Sequence, residues 1–192
     1  MDSIKIFTSL FKTKLPEETK RDILPYINKK ILQKNQVIAN QNETTKFFYI
    51  LLSGIIRCYI PDNKGKEHIR TLFTPITATG SLSSLINETN SDAIYDCLTE
   101  CVVLECNFVE IKILANKHHS LSLIYSESLQ RSFMRTEERI YELSVLNSKE
   151  RYLKLKKDIP DIDNLITQYH IAAYLNITPV QLSRIRKDLY SK

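Results

Sequence analysis

The sequence predicts an α+β fold: an N-terminal antiparallel β-roll, one long helix, and a small helical unit at the C-terminus. Three observations predict it. Short β-rich runs separated by turn signals recur between Ile31 and Cys106. A stretch without proline or glycine follows from Lys117 to Leu146, with apolar residues at helical spacing. The last stretch is helical on both sides of Asn176-Ile177-Thr178. The corresponding units are 1–116, 117–147 and 148–192.

Leu15 to Ile27 reads as a short helix. Pro16 suits a helix start, Glu17 and Glu18 suit the positive end of its dipole, and Ile23, Leu24 and Ile27 form an apolar face. The predicted strands are Lys30–Gln33, Val37–Ala39, Phe47–Leu52, Ile55–Pro61, Lys66–Phe73, Ala93–Leu98 and Val102–Cys106. Asn63-Lys64-Gly65 marks a hairpin, because Asn and Gly tolerate positive φ. Short strands at this spacing form a sandwich or roll. Asn107 with Glu110 reads as the capping pair of the next helix.

In the long helix, Leu129, Phe133, Thr136, Ile140, Leu143 and Asn147 alternate steps of four and three. That is a heptad seam, which pairs naturally with a second helix of the same kind. Ser148 is expected to cap a helix over Lys149–Lys157, stopped by Asp158-Ile159-Pro160, and Asp161 to Asn164 reads as a loop.

Composition narrows the function. The chain has 192 residues, 43% hydrophobic and 26% charged, which is globular. Its three glycines, Gly54, Gly65 and Gly80, compare with about 13 in an average chain of this length. The longest apolar run, Phe47 to Ile56, is well short of the ~20 residues that span a membrane. Met1 to Lys5 does not open like a signal peptide, so a cytoplasmic location is expected. Cys58, Cys97, Cys101 and Cys106 lack metal-ligand spacing and read as packed thiols. A cupin-type metal site would need clustered histidines and a carboxylate, yet of His68, His118, His119 and His170 only His68 lies on a predicted strand. No metal, no cofactor and no enzymatic activity are expected.

Gln168 to Lys187 has the layout of a helix-turn-helix. Ala172 permits the close crossing, Ile171, Leu175, Ile177, Leu182 and Ile185 supply the buried faces, and Asn176 suits a left-handed turn. Thr178 caps the second helix and Pro179 fits its first turn. The candidate DNA-contacting residues are Thr178, Pro179, Val180, Gln181, Ser183, Arg184, Arg186 and Lys187. Arg184 suits a guanine and Gln181 an adenine, while Arg186 and Lys187 suit phosphates. Residues 148–192 hold nine Lys+Arg and five Asp+Glu, a net of +4, against +1 for the first 147. The basic excess travels with the motif.

A roll, a long pairing helix and a terminal helix-turn-helix together resemble the CRP/FNR family of transcription regulators. Tyr49-Ile-Leu-Leu-Ser-Gly54 resembles the family's strand entering its first glycine turn, and Asp62 to Glu67 its hairpin. Gly80-Ser81-Leu82 sits where the phosphate-binding cassette begins, and Ala93 where it ends. Ile171-Ala-x-Tyr-Leu-x-Ile-Thr178 and Leu182-Ser-Arg-Ile-Arg186 are most similar to a branch common in Bacteroidetes.

The resemblance implies a cyclic-nucleotide-binding-like jelly roll and a homodimer bound to double-stranded DNA through helix 179–189. It also implies RNA polymerase as a partner. The dimer seam is then Leu129, Phe133, Thr136, Ile140 and Leu143, and the effector pocket Gly80, Ser81, Leu82, Ser91, Asp92 and Thr136. Nucleotide-binding members carry a Glu where Ser81 stands and an Arg where Ser91 stands, so an unidentified small molecule rather than cyclic AMP is the expected effector. The Glu of the family's Glu-x-x-Ser-Arg reading pattern is Val180 here, which implies a different half-site. The sequence ends at Lys192, so most of the wing that follows the recognition helix in the family is expected to be missing. The competing reading is a cyclic-nucleotide-type module acting through protein contacts; the exposed basic side chains of the last helix argue against it.

Overall fold

The computed structural model describes residues 3–190, with Tyr190 as backbone only. The outer limits expected at 1 and 192 lie outside these residues. Two short helices, α1 (Ser3–Ser9) and α2 (Glu17–Ile23), lead into eight strands. These are β1 (Ile27–Leu32), β2 (Val37–Ala39), β3 (Phe47–Ser53), β4 (Ile56–Pro61), β5 (Glu67–Phe73), β6 (Thr77–Thr79), β7 (Ile94–Cys97) and β8 (Cys101–Asn107), with α3 (Leu82–Asn87) between β6 and β7. Helices α4 (Phe108–Lys117), α5 (His119–Val145), α6 (Ser148–Asp158), α7 (Ile162–Leu165), α8 (Gln168–Tyr174) and α9 (Pro179–Tyr190) follow.

The strands form two antiparallel four-stranded sheets, in the orders β1-β8-β3-β6 and β2-β7-β4-β5. Leu32, Tyr49, Leu51, Ile56, Cys97 and Val103 form one buried cluster of the roll. A second cluster joins α1, α2, α4 and the start of α5 to the first sheet through Phe7, Ile23, Ile50, Leu104, Ile111 and Leu121. The hairpin between β4 and β5 turns as its residues demand. Asp62 Oδ1 accepts from the amides of Lys64 and Lys66 at 2.8 and 3.0 Å, and Gly65 takes φ 77°. All four cysteines are buried and unpaired, as packed thiols should be.

Several boundaries move from the sequence reading. The helix expected through Ile27 ends at Ile23, because Pro25 brings in a 3-10 turn over Leu24–Tyr26. Ile27 instead begins β1, opposite Cys106. The expected seam stops short of Asn147, since α5 ends at Val145. Asn147 is the N-cap of α6: its side chain accepts from Lys149 N and Glu150 N, and Glu150 returns a bond to Asn147 N. Ser148, expected as that cap, lies inside the helix. The loop expected over Asp161–Asn164 contains the single turn of α7, and β6 and α3 occupy a stretch without predicted elements.

A third cluster positions the C-terminal helices. Tyr152, Leu155, Ile162, Ile171, Ala172, Leu175 and Leu182 pack together with Ile55 and Leu98 from two turns of the roll. Leu72 of β5 lies against the same cluster, and α8 packs on β5. The helix-turn-helix is thereby seated on β5, which also lines a crevice beside the roll.

Candidate nucleic-acid interface

Helices α8 and α9 cross where Ala172 is only 1% exposed, close enough for Ile177 N to donate to Ala172 O at 3.0 Å. Asn176 takes φ 53°, the left-handed turn its short polar side chain tolerates. Thr178 and Gln181 cap α9 reciprocally: Gln181 N donates to Thr178 Oγ1, and Gln181 Oε1 accepts from Thr178 N at 2.8 Å. The Gln181 carbonyl is therefore engaged, leaving its amide N–H groups to face outward. Leu182 is fully buried and fixes which face of α9 points away.

That outward face carries most of the candidate residues. Thr178, Pro179, Val180, Gln181, Ser183, Arg184 and Lys187 are all exposed. Arg186 is placed differently. It is half-buried, its Nε donates to Tyr152 Oη at 3.2 Å, and its Nη2 pairs with Asp163. Burial alone would lower its pKa, but Tyr152 and Asp163 outweigh that and raise it. In this arrangement Arg186 holds α9 to α6 and α7 rather than standing free for a phosphate.

Two arginines that the sequence reading did not single out secure the end of α8. Arg139 of α5 donates to Tyr174 O, and Arg151 of α6 donates to Leu175 O at 3.2 Å. Helix C-termini leave carbonyls without partners, and these guanidinium groups supply them. Sequence spacing gives no sign of such contacts, which cross 24 and 35 residues.

The candidate seam residues lie along α5. Phe133, Ile140 and Leu143 are 64%, 59% and 44% exposed, Thr136 is exposed, and Leu129 is half-buried. Met134, Tyr141 and Val145 widen the same apolar strip.

Between the roll and α5 lies a crevice of about 800 Å³. Of the candidate effector residues, Gly80, Leu82 and Thr136 line it. Ser81, Ser91 and Asp92 do not: Ser81 and Ser91 are buried, Ser91 Oγ bonds Ala93 O at 2.7 Å, and Asp92 faces solvent. The residues around the cassette are thus split between the crevice and the protein's own packing.

One cluster has metal-type composition. Ligand atoms of Glu18, Asp22 and His118 lie within 4.8 Å of one another. Lys117 Nζ already bonds Asp22 at 2.8 Å, and His118 bonds both Asp22 and Thr19. Asp22 is thus already paired with an ammonium, and these bonds tie the α4–α5 corner to α2. No helix among the described residues is long and apolar enough to cross a membrane.

Comparison with known proteins agrees with this architecture. Residues 29–118 match the family described as the cyclic nucleotide-binding domain. No curated protein sequence matches the chain. Among solved structures, the chain is similar to FixK2 from Bradyrhizobium japonicum, at 14% identity, covering 86% of this chain and 85% of that one, with a TM-score of 0.72. A CRP/FNR-family protein from Eubacterium rectale gives 16% identity, 92% and 85% coverage, and a TM-score of 0.73. The c-di-GMP-responsive global regulator CLP from Xanthomonas campestris gives 13% identity, 92% coverage of each chain, and a TM-score of 0.66. Residues 29–118 are thus similar to the cyclic nucleotide-binding domain, and the chain as a whole shares the fold of these solved CRP/FNR-type structures.

Proposed function

We propose that this protein is a DNA-binding transcription regulator of the CRP/FNR type. Two copies pair along α5, each lays α9 in a major groove, and the crevice between roll and α5 is the sensor site. The observation that carries the reading is the outward face of α9. A helix seated on a closed core presents Val180, Gln181, Ser183, Arg184 and Lys187 to solvent, with no partner element covering them among the described residues. The net +4 of residues 148–192 supports it, because phosphate neutralisation supplies most non-specific affinity. Half-sites would lie about 34 Å apart, one helical turn of DNA.

The test is selection and sequencing of genomic fragments by the purified protein, followed by affinity measurements on the enriched site. Arg184→Ala should weaken that site about tenfold or more, the cost of one lost bidentate base contact. Lys187→Ala should weaken all fragments alike and lower the salt slope by about one. Equal binding by wild type and Arg184→Ala at matched salt would overturn the reading.

A further inference from the structure

The crevice carries features that the cassette residues do not explain. Strand β5 has a bulge: Tyr59 stands opposite Ile69 and Cys58 opposite Thr71, so Arg70 has no partner across the ladder. Bulges re-aim side chains. Here Arg70 lines the crevice, and its Nη2 donates to Tyr95 Oη at 2.9 Å. Tyr95 stacks on Phe73, with ring centroids 6.2 Å apart. Arg135 of α5 lies over the same Phe73 ring, 5.8 Å from its centroid. Two guanidinium groups therefore flank one aromatic pair, from the strand and from the helix.

Neither has a carboxylate. Arg70 meets the Tyr95 hydroxyl and the Cys58 thiol, and Arg135 forms no hydrogen bond or ion pair among the described residues. Three acids also line the crevice, Glu138, Glu142 and Asp158, and each is bound to Lys154, at 2.8, 3.1 and 2.7 Å. Burial lowers the Arg135 pKa, with Glu138 opposing, so this cation is held at a desolvation cost. A third group points the same way. Thr79 lines the crevice at 5% exposure, and its buried hydroxyl forms no hydrogen bond within the protein. The rest of the wall is largely apolar, with Phe48, Ile50, Leu85, Phe108, Leu121 and Ile124.

We propose that this crevice binds an organic carboxylate with an aromatic or aliphatic body. Its head group is held by Arg70 and Arg135, and its body lies on the apolar wall. A guanidinium fork matches a planar carboxylate, and two cations with no carboxylate bound to either favour an anion. The volume suits a small ligand of this kind. A polar nucleotide fits poorly, since Ser81, Ser91 and Asp92 do not reach the crevice. The proposal rests on the crevice being the sensor site, and not on DNA binding. Leu72, beside Phe73 on β5, packs against the core under α8, so an occupied crevice has a short route to the helix-turn-helix.

The test is calorimetric titration of the full chain, without DNA, using 2-naphthoate, its neutral isostere 2-naphthamide, and cyclic AMP. Naphthoate should bind about tenfold or more tightly than the amide, as expected for a charge-assisted pair. Arg135→Gln should erase that preference while leaving amide binding unchanged, and Arg135→Lys should keep part of it. Arg70→Gln should act as Arg135→Gln does; unchanged circular dichroism is required of both. Equal binding of acid and amide, binding of neither, or tighter binding of cyclic AMP would overturn the proposal. If the protein fails to bind DNA yet prefers naphthoate, the carboxylate site stands and the regulator reading falls.

Discussion

The guanidinium of Arg139 lies 3.9 Å from the Tyr174 ring centroid and donates to the Tyr174 carbonyl. This single side chain joins the long helix α5 to the first helix of the helix-turn-helix. It also pairs with Glu142 at 2.8 Å, and its side chain is only 13% exposed. Arg139→Ala should lower stability by about 2–3 kcal/mol, from a charged hydrogen bond and a stacked cation lost together. Glu142 keeps Lys154 at 3.1 Å, so no carboxylate is left stranded. Arg139→Lys should restore less than half, because an ammonium lacks the planar face. Urea denaturation measures this, and an unchanged midpoint for the alanine variant would remove Arg139 from this role.

Asp163 gives the same region a pH dependence. Burial raises its pKa, but bonds from Lys156, Tyr152 and Arg186 outweigh that and hold it below its ordinary 3.8. A carboxylate with a depressed folded pKa adds stability above its unfolded value and loses it as pH falls through the folded one. Asp163→Asn should therefore be less stable than wild type at neutral pH. The gap should narrow as pH drops below about 4, where the unfolded carboxyl takes up its proton. Urea midpoints across that range test it, and a gap constant with pH would show that charge plays no part.

The parts legible in sequence are those whose cause is local. Asn176 is readable because a left-handed residue between two helical faces has few candidates, and it takes φ 53°. The Asp62–Gly65 hairpin is readable for the same reason. Asn147 reads in sequence as the end of the seam, with Ser148 as the cap, yet in the structure Asn147 takes the cap. The cap prevails, since ending α5 leaves α6 donors that only its side chain meets. Arg70 was invisible as a site residue: a bulge depends on the register of the neighbouring strand, which the sequence of β5 does not contain. Arg186 reads as a phosphate contact on a helical wheel, and only the fold brings Asp163 to it across 23 residues.

Gly54 sits where the roll meets the helical unit. Its φ is 93°, and a Cβ there would lie 2.4 Å from Glu100 O and 2.6 Å from Cys101 Sγ. The next residue, Ile55, belongs to the core under the helix-turn-helix. Gly54→Ala should cost about 3–5 kcal/mol, from backbone strain and overpacking combined. Gly65, at φ 77° with nothing within 4 Å, separates the two causes. Gly65→Ala should cost only about 1–2 kcal/mol, the price of the left-handed backbone alone. Equal losses by thermal denaturation would mean that the contacts around Gly54 give way freely.

The seam on α5 can be tested without DNA. Phe133 and Ile140 are 64% and 59% exposed in the single chain, so a charge at either site has little to disrupt in a monomer. In a paired helix the same charge would be buried without a partner and would cost several kcal/mol. Phe133→Glu and Ile140→Glu should then change assembly and not folding. Light scattering at micromolar concentration should give wild type at twice the chain mass of 22.4 kDa and each variant at the chain mass itself. Far-ultraviolet circular dichroism should be unchanged. The variants should also lose affinity for a two-half-site operator, since a monomer engages only one half. Wild type at the mass of a single chain would sink the pairing. Variants that stay double would place the interface elsewhere on the molecule.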